Sequence, residues 1–171
     1  MFNFFKKKNE DVVKLAPLNC NDDEIVSIVD GKLINITTVP DATFAGKIMG
    51  DGVAFVCDGD SVTFCSPANG KLEALFPTGH AYGIKMNNGV VILVHIGINT
   101  VEENGKGFEI LGKSQGDVVK AGEPIVKVDM KTLRKKYDMS TMLIVTDTAD
   151  HKLKMSDPKE VKRGDEVIVI E

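Results

Sequence analysis

From Leu15 onward the chain is cut into short β-branched runs by Gly, Asp, Asn and Pro, at a spacing that leaves almost no room for helix. The runs lie at 25–29, 32–38, 53–57, 61–65, 71–76, 90–98, 124–128, 142–146 and 167–170. Strand-sized segments with turn formers between them predict an all-β fold, a β-sandwich or barrel. Only 130–137 and 100–104 read as a turn or two of helix. Gly31-Lys32-Leu33 and Gly70-Lys71-Leu72 each open a strand followed by a proline, at Pro40 and Pro77. Each proline leads through polar turn formers to an aromatic residue, and this echo predicts a duplicated β motif.

A length of 171 residues suits one domain with a substantial core. That domain is expected at 15–171, behind a flexible tail at 1–14. The formal net charge of −4 comes without the clustered Lys and Arg that a phosphate backbone demands, so nucleic acid is excluded as an expected partner. Cys20, Cys57 and Cys65 form no CxxC pair, and none has a histidine at zinc-finger spacing, so they read as reduced thiols of a cytoplasmic protein. No run approaches the roughly 18 apolar residues of a membrane span, and no secretory leader is evident. In the tail, Phe2, Phe4 and Phe5 precede Lys6, Lys7 and Lys8, which offers a weak interfacial contact with a membrane beside the plainer reading of a solvated terminus.

The run 90–98 is apolar except at His95, which places an imidazole inside a strand. His80 lies in the preceding run, and Asn87-Asn88-Gly89 between them is a hairpin signal. A two-residue loop at Asn88-Gly89 makes the histidines diagonal neighbours, and one at Asn87-Asn88 sets them directly opposite. Either leaves their β-carbons within about 8 Å. A three-residue loop would turn them to opposite faces. Two shielded rings cannot both carry charge comfortably, so at least one stays neutral near pH 7 and offers a nucleophilic nitrogen. Its neighbour can then donate a hydrogen bond to an anion held on that ring. Thr78, two residues before His80, points to the same side on an extended chain and would fix the His80 tautomer. Gly79 and Gly97 remove bulk beside each histidine, leaving room for a phosphoryl group or a partner.

The stretch Gly89-Val-Val-Ile-Leu-Val-His95-Ile-Gly97-Ile-Asn-Thr100-Val101 resembles the active-site signature of the glucose-class enzyme IIA family of the bacterial phosphoenolpyruvate-dependent sugar phosphotransferase system. Three further blocks are similar to that family: 40–52, 66–81 and 116–122, within a motif core of about 41–147. The resemblance implies a β-sandwich of the duplicated hybrid motif type. It implies a cytoplasmic phosphocarrier, a phosphotransferase component in sugar transport that associates peripherally with a membrane permease. His95 would accept phosphate at Nε2 from the phosphocarrier protein HPr and pass it to a cysteine of a membrane enzyme IIB domain, whose IIC partner carries the sugar. His80 would steady the phosphate and Thr78 would orient His80. Phe44, Ile48, Met49, Phe76, Gly97 and Val101 would form the docking surface, with Asp41 meeting a basic residue of HPr. No cofactor is required, although the His80–His95 pair would supply two ligands to a zinc ion in a partner complex. Two departures stand out: Asn99 replaces a frequent Asp, and Lys85 stands where enteric relatives have an acidic residue.

Two other readings compete. Gly107-Phe-Glu-Ile-Leu-Gly112-Lys113-Ser114 fits the P-loop pattern, yet Gly116, Gly122 and Pro124 follow where a helix is needed. Residues 116–128 resemble a biotinyl carrier strand pair, but Met130-Lys131 then enters a helix-like stretch instead of a hairpin tip.

Overall fold

The computed structural model of the chain describes residues 15–171, so the readings made of the tail at 1–14 lie outside the described residues. The strands are β1 Ile25–Val26, β2 Gly31–Asn35, β3 Gly52–Val56, β4 Ser61–Cys65, β5 Gly70–Leu75, β6 Ala81–Met86, β7 Val91–Ile96, β8 Phe108–Ile110, β9 Val118–Val119, β10 Pro124–Asp129, β11 Thr141–Asp147, β12 Leu153–Met155, β13 Lys159–Val161 and β14 Glu166–Ile170. Two four-residue helices, α1 Ala42–Ala45 and α2 Met130–Leu133, are the only α-helical turns among the described residues.

An eight-stranded antiparallel sheet runs in the order β13-β2-β3-β11-β7-β6-β5-β9, and two three-stranded sheets run β4-β10-β8 and β1-β14-β12. The main core unites them: Leu33, Phe55, Leu72, Ile92 and Val94 of the large sheet join Phe64, Val126, Ile25 and Ile168 of the small ones, all fully buried. Each such side chain contributes about 1.5–3 kcal/mol when removed from water. The chain is thus an all-β sandwich, as the punctuated sequence predicts.

The duplication is visible in the hydrogen bonds. Ser27 Oγ donates to the Val29 carbonyl and Ser66 Oγ to the Ala68 carbonyl, each at 2.7 Å and each fully buried. Around them, Ser27 N–H donates to Asp165 and Gly164 N–H returns to Ser27, while Ser66 N–H donates to Glu123 and Gly122 N–H returns to Ser66. The next glycines, Gly31 and Gly70, begin β2 and β5 pressed against the Val56 and Lys85 carbonyls, where a Cβ would collide. The large sheet repeats accordingly, with β2-β3-β11 answered by β5-β6-β7.

What joins the repeated strands differs. Between β5 and β6 the chain spends only residues 76–80, whereas residues 36–51 separate β2 from β3. This longer link departs from the sequence expectation, which continued the strand to residue 38. Asn35 Oδ1 instead accepts from Thr37 N–H and turns the chain into a 3₁₀ turn, Ile36–Thr38. Asp41 then caps α1, its Oδ1 accepting from Thr43 and Phe44 N–H. The link folds over the outer face of the sheet and makes a second small core there: Ile36, Val39 and Phe44 cover Ala54, Met142 and Ile144, with Ile98.

The helical expectation at 130–137 shrinks to α2, capped by Asp129 and followed by turns, and that at 100–104 is a 3₁₀ turn, Thr100–Glu103. In the P-loop look-alike, β8 follows Gly107 and no helix follows Ser114. Lys131 sits in α2 and not at a hairpin tip. Cys20, Cys57 and Cys65 are free thiols, and burial pushes Cys57 and Cys65 up to about 12, which keeps both neutral.

Candidate functional site

Strand β7 alternates, with Ile92, Val94 and Ile96 sealed in the main core and Val91, Leu93 and His95 half-buried on the outer face. Strand β6 pairs with it so that Ala81 faces His95 and Tyr82 faces Val94. The loop between them is therefore Asn87-Asn88-Gly89, closed by Gly89 N–H to Met86 O and Met86 N–H to Val90 O. Gly89, at φ +92°, takes the left-handed position that a three-residue hairpin needs. Both two-residue registers expected from the sequence are thereby corrected. Regular alternation in this register would bury His80 on the inner face, opposite His95. His80 is buried, at 5% exposed, yet its ring turns toward His95, because the chain turns at Gly79 (φ +76°) and the strand starts only at Ala81. Freed from the pleat, the His80 ring meets His95 edge-on, with centroids 5.3 Å apart and planes at 82°.

Each ring has one nitrogen engaged. His95 Nδ1 lies 2.9 Å from the Gly97 carbonyl, and since a carbonyl only accepts, Nδ1 carries the proton and Nε2 of the neutral ring is bare. His80 Nδ1 lies 2.6 Å from Thr78 Oγ1. The contact expected between Thr78 and His80 is present, but a tight turn at Gly79 delivers it, not an extended chain. Burial lowers the pKa of both histidines; for His95 the Gly97 hydrogen bond and the nearby Asp41 charge work upward, and His80 adds to the lowering. Near neutral pH both rings are therefore uncharged, which is the nucleophilic state.

Aromatic neighbours wall the pair. Phe44, delivered by α1 and itself buried, packs at 5.0 Å from His95, and the half-exposed Phe76 at 5.3 Å from His80. Ile48 and Met49, just past α1, and Val101, just past the Gly97 turn, are exposed at 75%, 41% and 51%, an unusual concentration of bare apolar surface. Gly79 and Gly97 need a different account from the one given by sequence. A Cβ on Gly97 would come within 2.5 Å of Thr100 Cγ2 and 2.9 Å of Met139 Sδ, and one on Gly79 within 3.1 Å of Phe108 Cβ. The bulk these glycines omit is omitted on the inner side, to let the chain turn, not to leave room above the rings. Sequence reasoning also missed α1; its signal was Asp41 before Ala-Thr-Phe, an N-cap one residue after a proline.

With these features in place, comparison with known proteins decides the lineage. Residues 23–151 match the family described as phosphoenolpyruvate-dependent sugar phosphotransferase system, EIIA 1. The chain belongs to this family. It is 42% identical over 129 residues to the glucose-specific EIIA component of Bacillus cereus, covering 75% of this chain and 76% of that one. The glucose-specific EIICBA component of Staphylococcus carnosus is 36% identical over 143 residues; 83% of this chain but only 21% of that longer protein is covered. The glucose permease IIA structure from Mycoplasma capricolum superposes with a TM-score of 0.79 at 36% identity, over 85% of this chain and 94% of that one. An EIIA chain is a component of a sugar phosphotransferase system, so carriage of a phosphoryl group in sugar uptake follows at the level of the family. No helix among the described residues is long and apolar enough to cross a membrane.

The histidine pair does not by itself make a resident zinc site in this EIIA chain. Both Nδ1 atoms are engaged, which leaves two Nε2 donors where zinc takes three or four protein ligands, and no third His, Cys, Asp or Glu joins them among the described residues.

Proposed function

We propose that this EIIA chain carries the phosphoryl group on His95 Nε2, taking it from the phosphohistidine of HPr and giving it to a cysteine of a membrane enzyme IIB domain. The observation that supports this most is the Gly97 carbonyl at His95 Nδ1, which forces the reactive lone pair onto Nε2, beside His80. In the first transfer the Nε2 lone pair forms the new N–P bond as the N–P bond of phospho-HPr breaks and its electron pair returns to the HPr ring. In the second, a cysteine thiolate forms the P–S bond and His95 recovers its lone pair.

His80 steadies the carried anion. With the Thr78 hydroxyl donating to His80 Nδ1, His80 Nε2 bears the proton and can donate to a phosphoryl oxygen. Ile48, Met49, Phe76 and Val101 form the exposed apolar ring on which both partners dock in turn, with the buried Phe44 and Gly97 beneath it and Asp41 as the acidic contact for HPr. A bare apolar rim with a polar centre suits transient docking. The chain works in the cytoplasm against the membrane permease, and any zinc at the pair would need ligands from a partner.

Incubation with phosphoenolpyruvate, enzyme I and HPr should place an acid-labile, base-stable phosphate on this chain. His80→Ala should still be labelled but fail to hand the group on. Labelling of a His95→Ala variant would overturn the assignment.

A further inference from the structure

The Gly97 carbonyl selects the His95 tautomer, yet it belongs to a glycine at φ +74°, a backbone free to swing. Two peptide planes flank this residue, and each is gripped at both ends. In the plane after Gly97, the carbonyl meets His95 Nδ1 while Ile98 N–H donates to the Asp138 carbonyl at 2.9 Å. In the plane before it, Gly97 N–H donates to the Ser140 carbonyl at 3.2 Å, and the Ile96 carbonyl accepts from Thr100 Oγ1. Apart from the His95 bond itself, the Thr100 hydroxyl is the only side-chain grip among these contacts.

Thr100 is one of the few polar side chains sealed among the described residues, at 1% exposed, and it makes no contact with either imidazole in the hydrogen-bond network. Its other branch, Cγ2, lies against Gly97 beside Met139 Sδ, so the residue meets the hinge twice, once by a hydrogen bond and once by packing. Asn99, which begins the 3₁₀ turn, lies at φ +61° and caps nothing with its side chain. The turn that follows the hinge is therefore tied back to β7 through Thr100.

We propose that Thr100 is a positioning residue for phosphoryl acceptance: by holding the Ile96–Gly97 peptide, its hydroxyl keeps the Gly97 carbonyl on His95 Nδ1 and so keeps Nε2 free of a proton. This rests on the reading of His95 as the acceptor. Without the hydroxyl, the Ile96–Gly97 plane tilts, the carbonyl leaves Nδ1, and the neutral ring divides between its two tautomers. The fraction with a proton on Nε2 cannot attack phosphorus.

The test is the imidazole nitrogen spectrum of the ¹⁵N-histidine-labelled chain above pH 8, measured with the rate of acceptance from phospho-HPr. In the wild type, His95 should show a protonated Nδ1 and a bare Nε2. Thr100→Val should give averaged shifts from mixed tautomers and a rate about tenfold lower, and Thr100→Ser should restore both. If Thr100→Val fails to fold, Thr100→Ala and Thr100→Ser decide, since both lose the methyl and differ only in the hydroxyl. Wild-type nitrogen shifts and rate in Thr100→Val or Thr100→Ala would overturn the proposal. So would tautomer mixing in Thr100→Ser as severe as in Thr100→Ala, which would assign the effect to packing. If the wild type were never labelled on His95, the acceptor reading would fall, while the nitrogen shifts would still judge the hold of Thr100 on the ring.

Discussion

The two halves of the large sheet are the same motif put to opposite uses. When Lys32 of β2 is aligned with Lys71 of β5, the pairings carry Ala54 onto Gly83, Met142 onto Leu93 and Ile144 onto His95. The counterpart of the histidine is thus an isoleucine, 1% exposed, in the second core beneath the 36–51 link. In the second half the link at 76–80 is too short to cover the outer face, so His95 stays half-buried and reachable. One face is roofed and becomes core, while the other is left open and carries the candidate site. The roof of the first half also serves the second, since Phe44 at its edge packs on His95.

The strongest way to break this comparison is to truncate both members of the aligned pair. His95→Ala should abolish phosphoryl acceptance, by about 1,000-fold or more, while the thermal midpoint stays near that of the wild type. Ile144→Ala should do the reverse, costing about 2–5 kcal/mol in denaturant unfolding while the folded fraction is still labelled. A destabilised His95→Ala, or an Ile144→Ala as stable as the wild type, would dissolve the contrast.

Acid offers a second probe. Both histidines have pKa values lowered in the folded state, so as pH falls the unfolded chain takes up their protons first, from about 6.5 downward. Their contribution to stability is therefore complete above that value and is lost as pH drops through the folded-state values. Imidazole titration by NMR should give midpoints for His80 and His95 below about 6.5; midpoints at that value would mean that the open face is wetter than its geometry indicates. The smallest effect concerns the edge of the roof. Asp41→Ala removes both the cap of α1 and the acidic contact proposed for HPr, and should cost about 1 kcal/mol with a measurable drop in labelling rate. A pure stability loss with an unchanged rate would detach the roof from the site.

Much of this was legible in the sequence, because strand periodicity and turn chemistry are local. The run 61–65 is β4 to the residue, and the Gly31 and Gly70 echo marks the repeat. The histidine pair was anticipated for an incomplete reason. Loops at Asn88-Gly89 or Asn87-Asn88 would bring the histidines to one face, whereas Gly89 supports a three-residue loop, and the resulting change of face is undone by the turn at Gly79. Two local choices compensate, and neither reveals the other without coordinates. Strands β8, β9, β12 and β13, two or three residues each, were missed because alternation cannot register over so short a run. The roof was misread because Asn35 and Asp41 act through hydrogen bonds to backbone that a pattern of apolar residues does not record.

The sheet β1-β14-β12 has a consequence for how the protein comes into being. Ile25 pairs with Ile168, so a strand made early waits for one that lies far along the domain. During synthesis the core cannot shut until β14 has left the ribosome, and until then Ile25 and the strands behind it present unpaired edges. The domain is therefore exposed to aggregation until β14 emerges, and its dependence on chaperones should follow translation speed through β12, β13 and β14.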